Sequence, residues 1–275
     1  MSRRQRITTA LVLAPLPVLA VLFLPTPWLA AGVAAVILAG LWEWTAFAGL
    51  EDKTPRVLFL TANALMMAAL VWGGGPSLFT LKLVSLIGVV WWGLVLLWLA
   101  RPRFAAADNH ATRSLKLLAG SLCAVPAWCA LGWLHSEGDL GPRWTLFALA
   151  LVWAADSGAY FVGSKFGRRK LAPSISPGKT WEGVIGGLAT SVLLAALVLP
   201  LLGLGWSALP ALALLTVVTA AISVVGDLFE SLMKRHSGVK DSGALFPGHG
   251  GLMDRLDSLL AALPVFAVGK AWLGL

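Results

Sequence analysis

Charge is scarce in this chain. Only 12% of its 275 residues are Asp, Glu, Lys or Arg, against roughly 25% in an ordinary soluble domain. At a mean hydropathy of +0.83 it has too little polar surface to face water on all sides, so its solvent is largely lipid. Tyrosine is nearly absent, at one residue, while Trp reaches 14, the aromatic that favours membrane interfaces. Trp91, Trp92 and Trp98 are accordingly expected to face lipid or the interface. The two cysteines, Cys123 and Cys129, lie in an apolar run with neither CxxC nor other metal-site spacing. That excludes a disulfide framework, and both read as small apolar core residues. Apolar and polar residues do not alternate along the apolar runs, which excludes a membrane β-barrel. There is no P-loop either: the GKT at 178–180 would need a glycine where Pro173 stands.

What is present is a series of apolar runs. A bilayer core takes roughly 20 residues per helix, and nine runs qualify, at about 7–24, 28–50, 57–72, 81–100, 115–134, 144–164, 183–203, 209–230 and 256–274. The basic, then apolar, opening MSRRQRITTALVLAPLPVLAVLFL reads as the first span, because no small-x-small cleavage pattern follows it. No repeat is evident. The expectation is an all-α polytopic transmembrane bundle of about nine spans forming one membrane domain. Residues 1–140 supply the N-terminal spans and residues 141–275 carry the catalytic site.

The formal charge of +8 does not point to nucleic acid, since the cations fall between apolar runs. With the N-terminus in the cytoplasm, 18 of the 21 cations lie on inner segments, leaving Lys82, Arg143 and Lys270. This asymmetry predicts an N-in, C-out topology. The basic block RPRFAAADNHATRSLK reads as a lipid-surface contact. On that topology Glu43, Asp156, Glu182, Asp227, Glu230, Asp254 and Asp257 share one depth, just inside the cytoplasmic face. Ionisable groups at membrane depth are expensive and usually functional, so their convergence predicts one polar site open to the cytoplasm.

Its centre is the polar interruption between the last two runs. On a helix, Ser223, Asp227, Ser231 and Lys234 fall on one face, beside Glu230. Glycine and proline then break the chain in GVKDSGALFPGHGG, and Asp254 and Asp257 open the next helix at i, i+3. Antiparallel packing would let Asp227 and Asp254 approach each other. Two carboxylates with hydroxyls nearby suit Mg²⁺ rather than zinc. Around them stand Lys234, Arg235, Lys240, Asp241, Arg255 and Asp257, with His249, Gly250 and Gly251 in a run whose amides can approach an anion. That combination can hold a triphosphate. In SPGKTWEG, Pro177 and Gly178 are expected to turn, Thr180 to cap the seventh helix, and Lys179 to favour phosphate at its start beside Glu182.

The run Ser231-x2-Lys234-Arg235-x4-Lys240-Asp241-x-Gly243-x2-Phe246-Pro247-x-His249-Gly250-Gly251-Leu252-x-Asp254-Arg255-Leu256-Asp257 resembles the signature of the phosphatidate cytidylyltransferase (CDP-diacylglycerol synthase) family, without a departure. The segments DSGAYFVGSKFG and SPGKTWEG look like further segments of that family. The resemblance implies transfer of a cytidylyl group from CTP to phosphatidic acid, giving CDP-diacylglycerol and pyrophosphate in phospholipid biosynthesis. It also implies a multi-pass enzyme of the bacterial inner membrane with its site facing the cytoplasm, Mg²⁺ dependence with one ion or two left open, and a homodimer. The family's metal-binding aspartates carry over to Asp227 and Asp254, with Ser223 and Ser231 near the site, and substrate contacts are expected from Lys179, Thr180, Asp156, Glu182 and the 249–251 run. Two other classes compete. A CDP-alcohol phosphotransferase would carry DGxxAR…GxxxDxxxD, which is absent. A transporter of an anionic solute would show paired halves and helices broken at the midplane, and neither is seen.

Overall fold

The computed structural model describes residues 15–72, 78–239, 241–243 and 250–275. Arg3, Arg4, Arg6, Lys240, His249 and the first part of the span expected at 7–24 lie outside the described residues. Within them run nine α-helices: α1 (Pro15–Phe23), α2 (Thr26–Phe47), α3 (Lys53–Trp72), α4 (Phe79–Leu99), α5 (His110–Ser136), α6 (Gly141–Phe166), α7 (Trp181–Val198), α8 (Leu209–His236) and α9 (Met253–Leu273). Eight, α2 to α9, are long and apolar enough to cross a membrane, so the chain is a polytopic helical membrane protein. A two-stranded antiparallel hairpin, β1 (Lys170–Ala172) and β2 (Ser176–Thr180), joins α6 to α7.

Local chemistry sets several helix starts. Asn109 caps α5 by accepting from the Thr112 amide at 3.0 Å, and Thr180 caps α7 by accepting from Gly183 at 3.1 Å. Prolines occupy the first turns of α2, α6 and α8, where their missing N–H has no helical partner to lose.

Between helices in lipid there is little hydrophobic drive, so close van der Waals approach matters most. The spacing Gly183-x3-Gly187 provides it for α6 and α7. A Cβ on Gly187 would stand 2.6 Å from the Ala155 carbonyl oxygen, and one on Gly183 3.0 Å from that of Ala159. On the other side, Gly226 of α8 lies flat on the backbone of Asp257 in α9. These two contacts pack α6 against α7 and α8 against α9 beside the site.

The three tryptophans expected at the lipid interface are instead buried: Trp91 at 7%, Trp92 at 1% and Trp98 at 6% exposure. Each indole N–H has an interior acceptor, at Cys123 Sγ (3.3 Å), Leu260 O (3.2 Å) and Phe104 O (3.1 Å) respectively. With Trp44 they surround Phe229, ring centroids lying 5.3 to 6.1 Å away. An amphipathic ring goes inside when its N–H finds a partner there. Cys123 and Cys129 are free and buried, as small core residues should be. Pro177 and Gly178 also depart from expectation: they lie within β2, and the turn falls at residues 173–175.

Two sets of contacts define the bundle's ends. At one, Trp44 donates to the Lys116 carbonyl, His236 meets Pro102 O and Arg235 meets Ile175 O. At the other, His135 bridges Thr26 and Val21, and Lys270 pairs with Glu137. The acids singled out above lie towards the first end.

Candidate active site

A cavity of about 530 Å³ opens between α6, β2, α7 and α8 at that first end. Asp156, Tyr160 and Ser164 line it from α6, Ser176, Lys179 and Thr180 from β2, and Asp227 from α8. Much of the remaining lining is small: Ala155, Gly163, Gly183, Gly187 and Ala220. The residues that let the helices approach one another therefore also leave room beside the charged groups.

Lys179 reaches across the cavity, its Nζ 2.6 Å from Asp227 Oδ2. Ser231, one turn along α8, donates to Asp227 Oδ1 at 3.3 Å. Asp156 lies within the field of both Lys179 and Asp227. The neighbouring Thr180 hydroxyl is committed to the α7 cap. Glu182, on the first turn of α7, accepts from the Arg168 and Arg169 amides at 3.0 and 3.1 Å. It clasps the hairpin to the helix, rather than pointing its carboxylate into the cavity.

A second cluster adjoins the first across α8 and α9. Lys234 Nζ lies 2.6 Å from Glu230 Oε2 and 2.6 Å from Asp254 Oδ1, bridging the two helices. Asp254 Oδ2 accepts from the Gly251 amide at 2.8 Å and from the Ser242 amide and hydroxyl, each at 3.1 Å. Gly250 adopts φ +81, a left-handed conformation that glycine tolerates, immediately before the turn into α9. Asp257 stands between the clusters, within the field of Asp227 and Glu230. Glu230 is 2% exposed, and among the described residues its Oε1 has no hydrogen-bond partner, a costly state for a buried acceptor.

The two aspartates expected to face each other thus each hold a different ammonium, Lys179 for Asp227 and Lys234 for Asp254. Among the described residues, no three acidic, His or Cys side chains converge as a ready-made metal cage. Arg235 Nε donates to the Ile175 carbonyl at 3.2 Å, fastening the end of α8 to the hairpin turn. Ser223 is fully buried and donates to Ala220 O. Asp241 and Arg255 are exposed beside the loop. Ser242, Ser164, Ser176 and Tyr160 were not singled out from sequence. All are uncharged, so the pattern of charges that marked the site gave no sign of them.

The chain matches the model of the Cytidylyltransferase family over residues 4–271. It is 42% identical to a phosphatidate cytidylyltransferase of Haemophilus influenzae over 96% of this chain and 97% of that protein. It is 43% identical to one of Pseudomonas aeruginosa, covering 96% and 95%. A third, from Staphylococcus epidermidis, is 36% identical over 76% of this chain and 77% of its own length.

Proposed function

This chain belongs to the cytidylyltransferase family, and on that premise we propose that the paired clusters join CTP to phosphatidate, giving CDP-diacylglycerol and pyrophosphate. A phosphate oxygen of phosphatidate attacks the α-phosphorus of CTP. The new P–O bond forms as the bond to the bridging oxygen of pyrophosphate breaks, and pyrophosphate leaves with that electron pair. Because the nucleophile is already ionised at neutral pH, no strong general base is required. The barrier is repulsion between two anions, so catalysis reduces to positioning and charge neutralisation.

The observation that carries this reading is the Lys179–Asp227 pair at the cavity, next to the capped start of α7. An ammonium and a helix N-terminus suit a phosphate on one side, and carboxylate oxygens suit a hard cation on the other. Lys179 would leave Asp227 for a substrate phosphate, and Lys234 and Arg255 would hold the rest of the triphosphate. Mg²⁺ suits the donor types present, which are carboxylate and hydroxyl oxygens, and among the described residues Glu230 Oε1 is buried with no hydrogen-bond partner. Sites of this type need only one or two protein carboxylates, because phosphates and waters complete the shell. Asp227 and Asp254 would hold the ion, which supplies charge neutralisation at the reacting and leaving phosphates.

The site opens to the cytoplasm in this reading. Lys53, Arg56, Arg101, Arg103, Lys165, Arg168, Arg169 and Lys170 adjoin the site end, and cationic loops stay inside. A water-soluble nucleotide then meets a lipid headgroup at the membrane surface. The homodimer enters on the resemblance alone, and light scattering on the detergent-solubilised protein checks it. The function is tested with purified protein, radiolabelled CTP, phosphatidate and Mg²⁺. Equal amounts of CDP-diacylglycerol and pyrophosphate are expected. Absence of both products, with the protein folded, would remove the assignment.

A further inference from the structure

Glu43 stands near the end of α2, and its carboxylate is engaged by a stretch about 200 residues away. Oε1 accepts from the Leu252 amide at 3.0 Å, and Oε2 accepts from the Met253 amide at 2.9 Å and the Ser242 hydroxyl at 2.8 Å. The side chain is 9% exposed. Helix α9 has Leu252 at its cap position and no side-chain cap of its own, so the cap arrives from α2.

Asp254 shares this arrangement. Its Oδ2 takes the Gly251 and Ser242 amides and shares with Glu43 Oε2 the single proton of the Ser242 hydroxyl. Of three successive amides, that of Gly251 turns to Asp254 and those of Leu252 and Met253 turn to Glu43. The Ser242 hydroxyl stands between the two carboxylates. A Cβ on Gly243 or on Gly251 would overlap the Glu43 carboxylate, so both glycines make room for it. One turn earlier on α2, a Cβ on Gly40 would come within 3.2 Å of Leu256 and 3.3 Å of Met253. Thus α2 lies directly against the first turns of α9.

Starting a helix requires less than this. A Ser or Asp at the cap position satisfies the orphan amides locally, whereas burying a carboxylate from a distant helix incurs a desolvation cost. The distant group does what a local cap cannot. It ties residue 242 and residues 252–253 to a third element, and so fixes both chain segments whose groups donate to Asp254.

We propose that Glu43 is a positioning residue for cytidylyl transfer, fixing the Asp254 carboxylate through Ser242 and the amides of Leu252 and Met253. This rests on the reading of Asp254 as part of the active site.

The test compares wild type, Glu43→Gln, Ser242→Ala and the double variant, purified in detergent. Gln keeps the size but replaces one acceptor oxygen with an NH₂ group facing amide donors, so at least one bond is lost. The expected loss in kcat for Glu43→Gln is ~30-fold or more, since small displacements of a reacting group cost up to about 10²-fold. KM for CTP should change by less than about threefold, because a loss confined to the transition state leaves ground-state binding alone. Hydrogen exchange in peptides covering 250–256 should quicken without substrate or metal. The double variant should be no slower than the worse single one, because both act through one element. Multiplicative losses, a KM effect without a kcat effect, or unchanged exchange would each overturn the proposal. If Glu43→Gln fails to fold, unchanged kcat and exchange in Ser242→Ala overturn it. A wild type that makes no CDP-diacylglycerol overturns the functional reading, whereas unchanged exchange in Glu43→Gln overturns the clamp itself.

Discussion

Lys179 Nζ and Asp227 Oδ2 lie 2.6 Å apart, on elements separated in sequence by the whole of α7. The side chains are only half-buried, at 23% and 32% exposure, and ion pairs so accessible to solvent add little stability. What the pair does is close one wall of the cavity with charges of both signs, each available to a ligand of the opposite sign.

Lys179→Met should therefore leave the melting temperature within a few degrees of wild type. It should lower kcat/KM for CTP by ~10²-fold, the size of effect seen when one preorganised donor to a developing charge is removed. Steady-state pyrophosphate release checks the loss of turnover, and thermal unfolding in detergent checks the stability. A large stability loss with normal turnover would make the lysine a structural tie only.

Asp227→Asn and Asp254→Asn should each suppress turnover by ~10³-fold or more, because a metal ion's charge stabilisation is worth several kcal/mol. Both proteins should remain folded, with the residual rate insensitive to added Mg²⁺. The check is a Mg²⁺ titration of initial rate for each variant beside wild type. Near-normal activity in either would remove that residue from the proposed Mg²⁺ site.

The comparison of sequence with structure divides along physical lines. The spans were legible because lipid demands continuous apolar runs, and the candidate site stood out in the sequence because charge at membrane depth is rare. Asp227, Lys234 and Asp254 announced themselves in that way. The pairings of Lys179 with Asp227 and of Lys234 with Asp254 did not, because each joins residues far apart in sequence on different elements, whereas the i, i+4 contact of Lys234 with Glu230 was readable from helix spacing. The buried Trp91, Trp92 and Trp98 were misplaced for a related reason. Composition gives a ring's preference for an interface, but only the fold supplies Leu260 O or Cys123 Sγ as an interior partner. Pro177 and Gly178 suggested a turn, yet a two-stranded ribbon has unpaired edges where proline is tolerated.

Lys234 should carry stability as well as substrate contact. It lies between Glu230, 2% exposed on its side chain, and Asp254, at 16%. Removing one partner from a buried ion pair leaves an uncompensated charge and costs about 3–5 kcal/mol. Lys234→Met should lower the melting temperature clearly, and adding Glu230→Gln should restore much of the loss, since the second change removes the stranded carboxylate. Differential scanning fluorimetry on the single and double variants checks this. Additive destabilisation would mean that the two side chains are not coupled.

The last prediction concerns which side of the membrane the site faces. Ser242 is a poor labelling position, because it is 7% exposed and its hydroxyl is held between Glu43 and Asp254. Val239, in the same connection and 40% exposed, is suitable. At the far end Asp139 is exposed just before α6. Val239→Cys and Asp139→Cys are placed separately in a background carrying Cys123→Ala and Cys129→Ala. Each is treated with an impermeant maleimide from either side of inner-membrane vesicles. A triphosphate cannot cross bare lipid, and segments as cationic as those flanking the site end are as a rule retained on the cytoplasmic side. The Val239→Cys protein should therefore label from the cytoplasmic side alone and the Asp139→Cys protein from the opposite side alone, with CTP and Mg²⁺ slowing only the first. Labelling of the Val239→Cys protein from the periplasmic side would invert the topology, and with it the route by which the nucleotide reaches Lys179.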